Sequence, residues 1–275
     1  MTAGIKVDRK VIVGGKADYV AVVSLDRPDV ANALTFKMIH GLREAWDELA
    51  RDGDCRALVL TATGKHFSAG ADLTWMQASA GLNFGDNLTE AKDLAAMFDG
   101  LYRFPRPTIA VIRGAAYGGA VGLTACCDVV LAADDSKFCL SEVKLGMLPA
   151  VIFPFLARRM AAGALRRYSL TARVFSGGEA KAAGLVDVTM PADQLDIALR
   201  DELRQILQAS PDGQTAAKRL HLWLTDHSKQ PGELALESIA RARTGPSGQH
   251  GLQSFFQKKA PLWCLTLGDD WTIHS

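Results

Sequence analysis

Over the first 190 residues of this 275-residue chain, short apolar runs alternate with stretches of helical spacing, and that alternation limits the fold more than any other feature. Tyr19 to Leu25 (YVAVVSL), Ala57 to Thr61 (ALVLT), Thr108 to Ile112 (TIAVI) and Asp128 to Ala132 (DVVLA) have the length and composition of buried strands. Between the first two, Thr35 to Arg51 sets Met38, Leu42, Trp46 and Leu49 near one helical face, with Thr35 as candidate N-cap. Thr89 to Tyr102 and Gly118 to Cys126 also read as helices, and residues 77–88 as a mobile loop. From Pro149 onward the signals are helical: Ile152 to Met160, Leu165 to Thr171, Gly178 to Ala183, Ala192 to Gln208, Gln214 to Leu224 and Glu233 to Arg243. The expectation is an α/β core over residues 1–190 and a helical C-terminal region over 191–263, divided near Met190-Pro191. Residues 264–275 are left as an unassigned tail.

The charge balance gives no support to one class of partner. Lys plus Arg number 31 and Asp plus Glu 30, so no global field favours nucleic acid. The five cysteines are odd in number and include no CxxC, which fits reduced, buried thiols in a cytoplasm rather than a disulfide framework. The opening MTAGIKVDRK lacks the apolar centre of a signal peptide, and no apolar run is long enough for a membrane span.

Two turns rich in small residues follow strands: Ser68-Ala69-Gly70-Ala71-Asp72-Leu73 and Gly114-Ala115-Ala116-Tyr117-Gly118-Gly119. Small residues let a ligand approach the main chain, and free N–H groups at a helix start suit an anion or oxyanion. Tight strand–helix packing alone produces similar turns. Neither turn matches G-x-x-x-x-G-K-[ST], and no strand-linked GxGxxG is present, so nucleotide triphosphate and dinucleotide sites are not indicated.

Lys65 to Leu73 and Pro107 to Ala120 resemble the first two signatures of the crotonase (enoyl-CoA hydratase/isomerase) superfamily. Cys127 to Ala133 with Phe138 to Gly146 and Pro149 resembles its third. Leu25 to Pro28 with Asn32 to Leu34, and Gly184 to Asp187, extend the likeness over residues 15–262. The resemblance implies a crotonase-type spiral of ββα units whose helical C-terminal region supports a homotrimer or a dimer of trimers. The substrate would be an acyl-CoA thioester, with no separate cofactor, no metal, no nucleic acid and no membrane. It implies an oxyanion hole from the N–H groups of Ala71 and Gly119. Coenzyme A would lie along Val30, Ala31, Ala69, Ala71, Asp72 and Leu73, with Lys258 or Lys259 on a phosphate across a subunit boundary, although either lysine also reads as a solvated charge.

A thioester carbonyl gains negative charge when Cα loses a proton or Cβ accepts a nucleophile, so two N–H donors stabilise the enolate and one further group must carry the proton. Glu142 occupies the position of the family's second catalytic glutamate, and its apolar flanks favour a raised pKa if it is buried. The family's first glutamate is absent: Gly122 stands three residues after Gly119. The text around the site resembles bacterial 3-methylglutaconyl-CoA and isohexenylglutaconyl-CoA hydratases of leucine and acyclic terpene breakdown. That gives hydration of a branched glutaconyl thioester as the expected activity. A single-glutamate Δ3,Δ2-enoyl-CoA isomerase and a non-catalytic acyl-CoA-binding or RNA-binding protein are the alternatives. Asp86 and Glu90 are candidates to hold the water, and Arg158 and Arg159 to meet a distal carboxylate, though solvated helix-surface roles fit all four. His66, His40 and His221 read as structural or exposed, and Ser68 and Ser141 lack a G-x-S-x-G context.

Overall fold

A computed structural model describes residues 4–13, 15, 17–226, 241, 244–268 and 271–273. The large sheet contains β1 (Ile5–Val11), β2 (Tyr19–Leu25), β3 (Cys55–Ala62), β4 (Thr108–Ile112), β6 (Val129–Ala133) and β9 (Val188–Met190), in that spatial order. All neighbours pair in parallel except β1 with β2. A small sheet holds β5 (Ala115–Tyr117), β7 (Lys137–Cys139) and β8 (Phe175–Ser176). The helices are α1 (Phe36–Arg51), α2 (Leu73–Ala80), α3 (Phe84–Tyr102), α4 (Gly119–Cys126), α5 (Phe153–Arg159), α6 (Ala162–Thr171), α7 (Gly177–Ala182), α8 (Leu195–Gln208), α9 (Pro211–Asp226) and α10 (Pro246–Phe256). The run β4–β5–α4 is one ββα unit: a strand in each sheet, then a helix. The expected interleaving of strands and helices is therefore present.

Strand alternation divides the interior into two cores. Ala21, Val23 and Leu25 of β2, Leu58 and Leu60 of β3, and Ala110 and Ile112 of β4 face one core. There they meet Met38, Leu42, Trp46 and Leu49 of α1 and the buried face of α3. Thr35 caps α1 by accepting a hydrogen bond from the Met38 N–H at 3.2 Å. Val20, Val22, Ala57, Val59, Ile109 and Val111 face the second core, which is closed by Leu195, Leu199 and Leu203 of α8. Leu265, Leu267, Trp271 and Ile273 join it, so this core draws on both sides of Met190-Pro191 and on the tail. Arg56 ties that tail down: its buried guanidinium faces Asp18 at 3.4 Å and donates to the Trp263 carbonyl at 3.2 Å and the Ala209 carbonyl at 3.5 Å.

The expected loop over 77–88 is instead the end of α2, a short break, and the start of α3. The Asn83 side chain accepts from the Asp86 N–H at 3.0 Å, a cap that starts α3 five residues earlier than expected. The expected helix at 233–243 falls outside the described residues, apart from Arg241. Among the described residues no helix is long and apolar enough to cross a membrane, and no His/Cys/Asp/Glu group could hold a metal.

Candidate active site

The two small-residue turns lie side by side. Ser68 forms a parallel bridge with Ala116 in β5: its N–H donates to the Ala115 carbonyl at 2.9 Å, and its carbonyl accepts from Tyr117 at 3.0 Å. Three residues on from this pair stand Ala71 and Gly119, which line the same cavity. On the other side, Leu34 bridges Ala71 by donating to the Gly70 carbonyl at 2.7 Å and accepting from the Asp72 N–H at 2.9 Å. In a parallel bridge those flanking groups make the bonds, so the N–H of Ala71 itself turns away from Leu34, toward the 115–119 side. Among the described residues neither the Ala71 N–H nor the Gly119 N–H, at the first position of α4, has a backbone or side-chain acceptor.

Two glycines permit this approach. Gly70 has φ +96°, and a Cβ there would stand 3.0 Å from the Tyr117 carbonyl oxygen. Gly118 has φ 53° and ψ −121°, and a Cβ there would stand 3.2 Å from Glu142 Oε1. This region of conformation belongs to glycine almost alone. The His66 ring fastens the turns further, its Nδ1 accepting from the Ala115 N–H at 3.2 Å.

Ala71 and Gly119 line one cavity of about 170 Å³ with Glu142, Leu34, Trp75, Leu94 and the segment 148–152. Glu142 supplies the one ionisable side chain in that lining. It opens a 3₁₀ turn, Glu142–Leu145, shortly after β7. Its Oε2 is buried and has no hydrogen-bond partner among the described residues. Burial among apolar groups pushes its pKa above the ordinary glutamate value. The carboxyl group therefore holds a proton more readily than a solvated one does.

Gly122 is enclosed. A Cβ there would lie 2.2 Å from Ile152 Cγ2 and 2.9 Å from Phe98 Cε1, so a glutamate has no room at that position. Asp86 and Glu90 do not line the cavity. Asp86 is held at the start of α3 by Asn83, and Glu90 by Trp75 and Ser79. Arg158 and Arg159 are also elsewhere. Arg158 lies over the Tyr102 ring at 5.4 Å, and Arg159 donates to the Cys127 carbonyl at 2.7 Å and the Leu185 carbonyl at 2.8 Å while pairing with Asp187. No cation thus lines the cavity among the described residues.

The residues expected along coenzyme A are grouped beside the first turn. The Ala69 N–H donates to the Ala31 carbonyl at 2.8 Å, joining the two segments. Ala31 has φ 50°, and Val30 and Leu73 are exposed. The Asp72 side chain is already committed: it caps α2 through the Thr74 and Trp75 N–H groups and pairs with Arg27 at 2.9 Å. Those contacts, the Arg27 hydrogen bond first, hold its pKa below the usual aspartate value. Lys258 and Lys259 follow α10, are exposed, and do not reach this cavity within the chain. The cavity walls Trp75, Leu94 and Ile152 were missed in the sequence, where Leu94 and Ile152 read only as apolar residues of helices and Trp75 fell in no assigned element.

The enoyl-CoA hydratase/isomerase family model matches residues 15–264. Among similar solved structures, an enoyl-CoA hydratase from Shewanella pealeana has a TM-score of 0.88 and 38% identity, covering 94% of this chain and 96% of that one. AtuE of Pseudomonas aeruginosa has a TM-score of 0.87 and 32% identity, covering 94% and 99%. In sequence, enoyl-CoA hydratase ACTT6 of Alternaria alternata is 30% identical over 236 residues, 85% of this chain and 77% of that protein.

Proposed function

The chain belongs to the enoyl-CoA hydratase/isomerase family and is an enzyme of the hydratase type, and we propose that Glu142 is its one acid–base group. The thioester oxygen lies between the N–H groups of Ala71 and Gly119. As water oxygen bonds to Cβ, the π pair shifts toward Cα and the carbonyl oxygen takes up negative charge. One oxygen of the neutral Glu142 carboxyl gives its proton to Cα, and the other takes the proton that water loses. The carboxyl ends as it began. Each N–H donor contributes about 3 kcal/mol to the transition state, on the scale of oxyanion donors elsewhere. The observation that carries this reading is the buried, unpartnered Glu142 Oε2 in the same cavity as two backbone donors without acceptors.

Coenzyme A runs past Val30, Ala31, Ala69, Asp72 and Leu73, with Asp72 contributing through its backbone. Lys258 or Lys259 meets a phosphate of the coenzyme A held by a neighbouring protomer in a trimer or a dimer of trimers. For the acyl part, the local text around 116–128 and 138–150 favours a branched glutaconyl thioester. The lining favours apolar carbons next to the reacting centre, so a distal carboxylate lies outside this cavity. One observation favours a second reading. The closed position at 122 leaves a single carboxyl, which suffices for moving a proton from Cα to Cγ of a 3-enoyl-CoA.

The test mixes the purified protein with 3-methylglutaconyl-CoA, isohexenylglutaconyl-CoA, an unbranched 2-enoyl-CoA and a 3-enoyl-CoA. Hydration of a glutaconyl thioester, reduced about 10²- to 10⁴-fold by Glu142→Gln, is the expected result. Isomerisation without any hydration would overturn the hydratase reading. Full turnover by Glu142→Gln would remove the carboxyl from the chemistry. A monomer in sizing experiments would remove the cross-protomer phosphate contact.

A further inference from the structure

α2 carries a wall of the acyl cavity yet is poorly anchored by packing: none of its residues 73–79 is fully buried. Polar ties hold it. At its start, Asp72 caps the helix and pairs with Arg27. Farther along, Glu90 reaches over from α3, and its Oε2 accepts from Trp75 Nε1 at 3.1 Å and from Ser79 Oγ at 2.6 Å.

Trp75 and Ser79 are four residues apart on α2, as are Glu90 and Leu94 on α3, so each pair shares a helical face. Trp75 and Leu94 both line the cavity. One carboxylate oxygen therefore joins the two faces whose apolar members form the wall. The Trp75 ring also lies 6.1 Å from that of Phe36, tilted by 39°, so the indole meets α3 through Glu90 and α1 through Phe36. A carboxylate accepting from two donors is a strong tie, and the planar indole it holds lines the cavity.

We infer that Glu90 is a positioning residue that sets acyl-chain selectivity by holding the Trp75 indole as a wall of the cavity. The inference rests on reading this cavity as the acyl site, and it does not depend on which reaction follows.

Calorimetric titration with two unreactive saturated thioesters, butanoyl-CoA and octanoyl-CoA, tests it without turnover. In Glu90→Ala and in Trp75→Ala the ratio of octanoyl to butanoyl affinity rises about tenfold, the scale of burying roughly two more methylenes. Glu90→Gln keeps an acceptor oxygen and stays within about twofold of the parent. Ser79→Ala removes one donor and moves the ratio the same way by about two- to threefold, which keeps the test open if Glu90→Ala fails to fold. A merely structural role would weaken both thioesters equally, and that result overturns the inference. So does a ratio that moves in Trp75→Ala but stays flat in Glu90→Ala and Ser79→Ala, or a folded parent that binds neither thioester. If the ratio shifts as expected while no enoyl-CoA is hydrated, the tie stands and the hydratase reading falls.

Discussion

Replacing Gly122 with alanine adds one methyl group at a place with no space for it. The new Cβ would stand 2.2 Å from Ile152 Cγ2, 2.9 Å from Ile152 Cβ and 2.9 Å from Phe98 Cε1. Ile152 is 3% exposed and Phe98 fully buried, so neither side chain can swing into solvent. Residue 122 is not among those with positive φ, so the problem is overlap rather than backbone strain. Overpacking of this kind costs about 1–3 kcal/mol. Alanine's better helix propensity returns at most about 1 kcal/mol, leaving a net loss of about 0–2 kcal/mol, toward the upper end for an overlap as close as 2.2 Å. Ile152→Ala alone leaves a cavity and costs about 2–5 kcal/mol. In the double variant the added methyl enters the vacated space, so the losses do not sum, and the coupling favours the pair by about 1–3 kcal/mol. Urea unfolding of the four proteins at one fixed protein concentration reads these differences as shifts in midpoint with unchanged slope. A Gly122→Ala variant as stable as the parent would refute the packing argument, as would a double variant whose loss equals the sum of the single losses.

Other consequences are open to measurement. The folded state raises the Glu142 pKa, so its stabilising contribution is complete below the unfolded value near 4.3 and is lost as pH rises through the folded value. Glu142→Gln should therefore gain stability relative to the parent between acidic and neutral pH, and a constant difference in melting temperature would contradict the sign. Arg56→Ala strips the half-buried Asp18 carboxylate and the Ala209 and Trp263 carbonyls of a donor, with an expected loss of about 1–3 kcal/mol and early exposure of Trp263 and Trp271 in fluorescence. Burial pushes the thiol of Cys55 up to about 11 and that of Cys127 up to about 12. Alkylation of the folded protein should begin at half-buried Cys264, and faster labelling of Cys127 found by mass spectrometry would contradict that order.

The four apolar strands were legible because strands covered on both faces need nearly continuous apolar residues, and each lies inside an observed strand or overlaps it. β1 was missed for the opposite reason. Its sequence, IKVDRKV, mixes four charged residues with three apolar ones because it lies at the sheet edge with one face open. The start of α3 was missed because Asn-Phe-Gly-Asp-Asn reads as a turn, whereas Asn83 acts there as a cap. β5, β7 and β8 are two or three residues long and exist only through pairing with distant segments, which no local pattern reports. The two turns and Glu142 were legible from their resemblance to known signatures. Their cavity walls were not, because Trp75, Leu94 and Ile152 meet only in the folded chain. The enclosed surroundings of Gly122 supply what the sequence lacked, a steric reason for the missing carboxylate.

The guanidinium of residue 56 waits for a partner 207 positions further along the chain. During synthesis β3, the strand that carries it, leaves the ribosome long before the Trp263 carbonyl exists. Until then an obligate cation sits on a face destined for burial, and the apolar groups around it lack their last cover. That face cannot seal on a nascent chain, however early the strands pair, until residue 263 has emerged.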